Sequence, residues 1–290
     1  MSSTIGTSLY AAAAALLPPG GPLGWAVAVA SVVCPTVSGA RGAWATAVER
    51  AGAFGMLALV VPACVHAAYW ANGALLLVAH ERRRRDAAAP TRKRRPPWPR
   101  RASLARVAAN QCVAACVAGG LAATGLVRVT AVLPPPHELV GHMLALAAAE
   151  EVLFYYVHRA FHTVPRLARL HTVHHRHVAP FALAADDCHV VEHVCVNVLP
   201  TLAAAPAVGA HAYTLLVWWL LATLQTQENH AAVRLPWQGP GADFHRLHHR
   251  HGNVHYGSSG VLDALHGTSC FKKTEGQWGQ QRRGSSVAAA

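Results

Sequence analysis

The sequence predicts an all-α protein: a multi-span integral membrane helical bundle with a histidine-rich cap on the cytosolic side. Three observations carry that prediction. Hydrophobic residues fill 53% of the 290 positions and charged residues only 13%, with a mean hydropathy of +0.24, more apolar than a typical soluble domain. Basic residues are gathered rather than spread: eleven of the 25 Lys and Arg fall between Arg82 and Arg106, with long apolar runs on both sides. Sixteen of the 20 histidines fall between His158 and His266.

Residues 1–48 are rich in Ala, Gly, Ser and Pro, with Arg41 the only charged side chain among them. The apolar pieces 9–17 and 23–34 are broken by Pro-Pro-Gly-Gly-Pro, and each is shorter than the roughly 17–25 residues of a span. A signal peptide would want a basic start and a transit peptide more arginine, so this region stays unassigned.

Residues 49–133 read as membrane spans around a basic loop at 81–106. The stretch 52–79 is long enough to cross with some tilt, and a kink is expected at Pro62. His66 lies mid-span and is expected to be a packing histidine, with metal or haem ligation as the alternative. Flanked by apolar runs, the basic loop suits a membrane surface rather than nucleic acid, and the positive-inside rule places it in the cytosol. Residues 107–127, dense in Ala and Gly that let helices approach closely, then cross outward. Beyond Pro134, Pro135 and Pro136, residues 138–157 cross back, so His158 and His162 emerge on the cytosolic side.

The apolar region 194–226 is interrupted by Pro200, Pro206 and Gly209. One crossing would strand the last histidines across the membrane from the first, and two full spans need about forty residues. A hairpin of shortened or re-entrant helices is therefore expected. Trp218 and Trp219 are expected as interface anchors, with contact to a lipid substrate as the alternative. Residues 134–272 form the domain that carries the histidines, and 273–290 a disordered tail.

The histidines fall into spaced sets. His158 and His162 are i, i+4 neighbours; His171, His174 and His175 share a helical face; His245, His248 and His249 repeat that spacing. His230 follows directly on the apolar hairpin. Nine imidazoles exceed the needs of one ion, so two metals with four or five ligands each are expected; imidazole suits iron, zinc and copper alike. A neutral shell calls for carboxylates behind it, with Asp243, Asp186, Asp187, Glu192 and Asp263 as candidates. Glu150 and Glu151 are either part of that outer layer or solvated acids at the membrane interface. His189 and His193, beside Glu192, could add ligands, sit in the outer layer or line a substrate site. His255 is a further possible outer group, more simply read with His177, His251 and His266 as hydrogen-bonding or exposed. The seven cysteines contain no CxxC pair and read as small apolar residues in buried context, including Cys34, Cys64, Cys112, Cys116 and Cys195.

The sets HRAFH, HTVHH and HRLHH on a multi-span chain resemble the fatty acid hydroxylase/sterol desaturase superfamily of membrane di-iron oxygenases. HHRHVAPFALAADDCHVVEH and DFHRLHH…HYGSSGVLDALHGT resemble its C4-methylsterol oxidase branch and the fatty acid hydroxylase domain-containing proteins. The resemblance covers about 150–270. It implies two iron ions, O2 as oxidant and electrons from NAD(P)H through cytochrome b5 or a reductase. It also implies a lipid substrate, most simply a sterol, and an endoplasmic reticulum membrane. Its three histidine clusters map onto the eight clustered histidines and its HSG-type histidine onto His230. Three positions depart from the pattern: Ala231-Ala232 follow His230, Val190 replaces a proline, and His255 replaces an asparagine. No clustered histidine is missing, so active chemistry is expected. The rival readings are an acyl-lipid hydroxylase, desaturase or aldehyde-processing enzyme on the same site, a bis-histidine haem protein using His66 and His142, and a metal-binding scaffold without turnover.

Overall fold

A computed structural model describes residues 38–86, 100–178, 180–231 and 241–270. Most of the N-terminal region, the centre of the basic loop and the tail at 273–290 lie outside the described residues. Among the described residues the elements are helices, with one isolated bridge between Arg128 and His211 and no strand. In chain order they are α1 (Ser38–Gly55), a π turn (Met56–Val60), α2 (Val61–Asp86), α3 (Arg101–Thr124), α4 (Pro136–Thr163) and α5 (Pro165–His175). Then follow α6 (Val190–Ala207), α7 (Ala212–His230), α8 (Gly241–His251) and α9 (Val261–Leu265).

Among the described residues, four helical stretches are long and apolar enough to cross a membrane: Gly39–Arg82, Arg101–Thr124, Pro136–Thr163 and Val190–Ala207. Their outer faces fit that reading, since Phe54, Leu59 and Leu75 leave 66%, 67% and 66% of their surface uncovered. Inside, Met56, Leu57, Val61, Ala118, Leu139, Leu146, Leu202 and Leu215 form one continuous core. Gly119 of α3 allows the close approach the sequence led us to expect: a Cβ there would lie 2.9 Å from that of Ala58.

The first span is not kinked where proline suggested. The helix breaks at Gly52, whose φ of 65° and ψ of 179° are open to glycine alone. Pro62 is instead absorbed by the π turn, in which the Val61 N–H reaches back to the Met56 carbonyl. With the hydrogen-bond register already slipped, a missing N–H at Pro62 costs little. The break lets Trp44 of α1 donate to the Thr130 carbonyl (2.8 Å) and pack on His211 and Tyr213.

Pro136 starts α4 at a position where its missing N–H is harmless, and the helix runs 28 residues, about 42 Å. Beside it, α6 and α7 make the expected hairpin. Its arms are 18 and 19 residues, close to full crossing length rather than markedly shortened. The apolar stretch alone understated them. His193 at one end and Gln227, Glu228 and His230 at the other are buried, and their backbones continue the helices. The turn uses Gly209 at φ 58° and is tied to the α3–α4 connection by Arg128 N–H to the Ala210 carbonyl (2.9 Å) and Ala212 N–H to the Arg128 carbonyl (2.8 Å).

These ties fix one end of the bundle and leave the histidines at the other. The flanks of the basic loop lie at the histidine end too, because Arg106 of α3 and Arg176, just after α5, both pair with Asp187 (2.6 and 2.7 Å). Two smaller expectations are corrected. Trp218 and Trp219 are buried between helices rather than poised at an interface, and Trp218 donates to the Thr201 carbonyl (3.1 Å). Cys64, Cys112 and Cys116 are exposed on the outer faces of α2 and α3 rather than buried, and Cys195 is half-buried; in lipid an outward thiol is no more costly than alanine.

Candidate metal centre

Four segments meet at the histidine end. The last turn of α4 supplies His158 and His162; α5, started by Pro165 and turned back under α4, supplies His171, His174 and His175. The returning arm α7 supplies His230, and α8 supplies His245, His248 and His249. These nine imidazoles sort into two groups, each with ligand atoms within 4.8 Å of one another: His158, His162, His171, His175 and His248 in one, His174, His230, His245 and His249 in the other.

The tautomers show what the groups can hold. His158 Nδ1 faces the Tyr256 carbonyl (2.8 Å), His248 Nδ1 that of Val254 (2.7 Å) and His230 Nδ1 that of Thr226 (2.8 Å). A carbonyl only accepts, so each Nδ1 carries the proton and each Nε2 turns a lone pair inward. The inward nitrogens crowd together. His248 Nε2 lies 3.1 Å from that of His162 and 3.0 Å from that of His175; His230 Nε2 lies 2.9 Å from that of His245 and 3.3 Å from that of His174. The lone pairs of His158, His230 and His248, gathered with the inward nitrogens of the neighbouring rings, form a pocket that a cation would satisfy from all sides at once. The donor set therefore fits a metal ion in each group.

Electrostatics agree. Burial, and then the neighbouring imidazoles, hold His174, His245, His248 and His249 well below the ordinary histidine range, and the same causes lower His171; His175 is lowered to about 3, with burial the leading cause. The rings are thus neutral at physiological pH, the form that binds metal.

The carboxylates are placed differently from expectation. One, Glu192, reaches the centre, with Oε1 2.8 Å from His171 Nδ1 and both side chains 3% exposed. Asp187 instead collects Arg106, Arg176 and His177. Burial raises its carboxyl, but hydrogen bonds from His177, Ser103 and the two arginines outweigh that and hold it below the usual carboxylate range. Asp186 accepts from Gln111 (3.3 Å) and lies 4.0 Å from His193, and Asp243 pairs with Arg246 within α8 (2.6 Å). Asp263, fully buried, accepts from the backbone of Tyr256 and Gly257 (2.8 Å each) and from Thr268 Oγ1 (2.6 Å). Glu151 accepts from Ser258 Oγ and the Ser259 N–H, while Glu150 faces the cavity below. Asp263 and Glu151 thus brace the loop whose Tyr256 carbonyl holds His158.

Of the remaining histidines, His189 caps α6 by accepting from Val191 N–H (3.2 Å), and His255 lies beside Cys270, with Nε2 2.9 Å from Sγ, stacked on Phe244. Neither joins a group. His193 lines the cavity. His66 also lines it, edge-on to Trp219, whereas His142 sits beside Glu138 near the start of α4, so the two have different partners. Sequence reasoning missed the carbonyls of Thr226, Val254 and Tyr256, which carry no signal in the side-chain code.

A cavity of about 110 Å³ opens beside the centre and runs between α2, α3, α4, α6 and α7. His158, His171, His174, His230 and His245 line its head, and Val65, Val198 and Trp219 its deeper part.

Fold and site together define an integral membrane helical bundle with a histidine-walled centre able to bind metal beside a cavity between the helices. Comparison with known proteins gives a match over part of the chain: residues 143–268 match the fatty acid hydroxylase family, and the same part is similar to proteins of the fatty acid hydroxylase/sterol desaturase superfamily. It is 37% identical over 144 residues to fatty acid hydroxylase domain-containing protein 2 of Macaca fascicularis, covering 49% of this chain and 43% of that one. It is 34% identical over 160 residues to very-long-chain aldehyde decarbonylase GL1-8 of Oryza sativa (49% and 58%). With methylsterol monooxygenase 2-2 of Arabidopsis thaliana it shares 32% over 125 residues (41% and 47%). The chain thus spans about half the length of these relatives. No solved structure matches it significantly.

Proposed function

We propose that the protein is an O2-dependent lipid oxygenase that holds two iron ions and hydroxylates or oxidises an unactivated C–H bond, with a 4-methylsterol as the first substrate to test. The observation that supports this most is the division of nine inward-facing imidazoles into groups of five and four at the head of a cavity between apolar helices. His158, His162, His171, His175 and His248 would hold one iron and His174, His230, His245 and His249 the other. The irons, when bound, supply oxidation of the C–H bond by O2; an alkyl carbon offers no acid or base a handle.

The chain does the rest. Backbone carbonyls and Glu192 orient the imidazoles, the Glu151 and Asp263 braces hold the loop beneath His158, and the apolar cavity wall keeps water from the reacting carbon. Because the arginine-rich flanks lie at the histidine end, the positive-inside rule puts this end in the cytosol, where cytochrome b5 or an NAD(P)H reductase could deliver electrons. The endoplasmic reticulum is the membrane we propose.

Iron analysis of natively purified protein, with incubation against 4-methylsterols, fatty acids and long-chain aldehydes under O2 and reductant, tests the reading. We expect close to two irons per chain and an O2-dependent product from the sterol. A product from acyl lipid or aldehyde alone would reassign the substrate, in line with the decarbonylase relative. Iron in place without any O2-dependent product would sink the oxygenase reading.

A further inference from the structure

The cavity is not apolar throughout. In the first turn of α6 His193, only 3% exposed, lines it one residue beyond the Glu192 that touches His171. Its Nδ1 lies 3.4 Å from the Asn197 amide nitrogen one turn on, and an amide nitrogen only donates. With that amide nitrogen donating to Nδ1, the ring proton is on Nε2, and among the described residues this Nε2 has no hydrogen-bond partner. Asp186, at 4.0 Å, is on the Nδ1 side. The Asn110 backbone carbonyl lies near the ring without completing a bond of ordinary geometry to Nε2. A buried donor without an acceptor is rare and costly in a folded protein, and in a binding cavity it marks where a ligand brings the acceptor.

We infer that His193 is a specificity-determining residue: its Nε2–H receives an oxygen, hydroxyl or carbonyl, of an otherwise apolar lipid. This inference rests on the oxygenase reading and sharpens it. The carbon oxidised then lies a short way from an existing oxygen, and an unfunctionalised alkyl chain is a poor substrate. His193 touches no metal-group imidazole, so its role is to position the substrate. Discrimination by one buried donor is sizeable, because the analogue lacking the oxygen leaves the donor unpaired.

The test uses the full-length, iron-loaded protein in detergent and matched lipid pairs that differ by one oxygen: a 3-hydroxysterol and its 3-deoxy counterpart, and a long-chain alcohol and the alkane of equal length. Equilibrium binding should favour the oxygenated member of at least one pair by about tenfold. His193→Leu should bring that ratio near one with iron content unchanged, and His193→Gln, which keeps a donor, should restore part of it. Wild-type protein that binds both members of each pair equally overturns the inference, and this arm needs no variant to fold. A ratio kept intact in folded His193→Leu overturns it as well. Failure of the oxygenase reading shows separately, as absent iron or absent O2-dependent product whatever the binding ratio.

Discussion

His174 and His175 are adjacent on α5, yet their imidazoles point into different groups. His175 Nε2 meets His248 (3.0 Å), and His174 Nε2 meets His230 (3.3 Å). Replacing either with alanine removes the same atoms from the same helix, so any difference between the variants reports the sites and not the fold. His174→Ala cuts its group from four imidazoles to three, whereas His175→Ala cuts its group from five to four. Four protein ligands close a structural site, while three leave a position open. Losing even an outer-layer partner typically weakens metal binding about 10–100-fold, or roughly 1.4–2.8 kcal/mol, and a direct ligand lost from a group of only four, with no fifth to replace it, should match or exceed that. In a chelator titration followed by metal analysis, His174→Ala should release one metal per chain at about 10–100-fold lower chelator than wild type and the other at the wild-type level. His175→Ala should release both near the wild-type concentration. Indistinguishable release curves for the two variants would refute the division into five and four.

Three further outcomes follow from the packing and charge. Asp263→Ala removes the acceptor of two backbone N–H groups and Thr268, and should destabilise the protein by about 3 kcal/mol or more. Iron content should fall with it, through release of the Tyr256 carbonyl from His158; unchanged melting and metal content would contradict the bracing role. Gly119→Ala drives a Cβ to 2.9 Å from Ala58 and should cost about 1–3 kcal/mol, whereas Gly120→Ala, with open space around it, should not, as melting in detergent will show. The metal-free protein should weaken as pH falls. The folded-state pKa values of His174, His245, His248 and His249 lie below 6.5 and that of His175 is about 3, so the unfolded chain binds more protons between those limits. Their stability is present above 6.5 and is lost towards pH 3, at about 1.4 kcal/mol per pH unit for each proton taken up. A melting temperature of the metal-free form that stays flat or rises from pH 7 to pH 5 would reverse this sign.

Helical periodicity made much of the arrangement readable in advance. The spacings within 158–162, 171–175 and 245–249 put each set on one helical face, and the nine histidines they single out with His230 are the nine that the fold gathers. The hairpin followed from topology, since only an even number of crossings returns α8 to α4. What stayed hidden has physical causes. The Nδ1 anchors are main-chain carbonyls, which every residue possesses. Asp187 and Asp263 looked like partners for imidazole because composition cannot say which of several nearby donors wins a carboxylate. Pro62 drew attention away from Gly52 because a π turn repairs a proline, while a glycine break leaves no periodic trace.

The division of the imidazoles also sets an order of events during synthesis. Once His175 has left the ribosome, four of the five members of the larger group exist, all within eighteen residues of chain. The smaller group then has His174 alone and must wait for the α6–α7 hairpin to be threaded and for α8 to follow. A nascent chain stalled before residue 241 would thus hold four of five imidazoles of one pocket but only His174 and His230 of the other, and the paired centre comes into being only once α8 has been made.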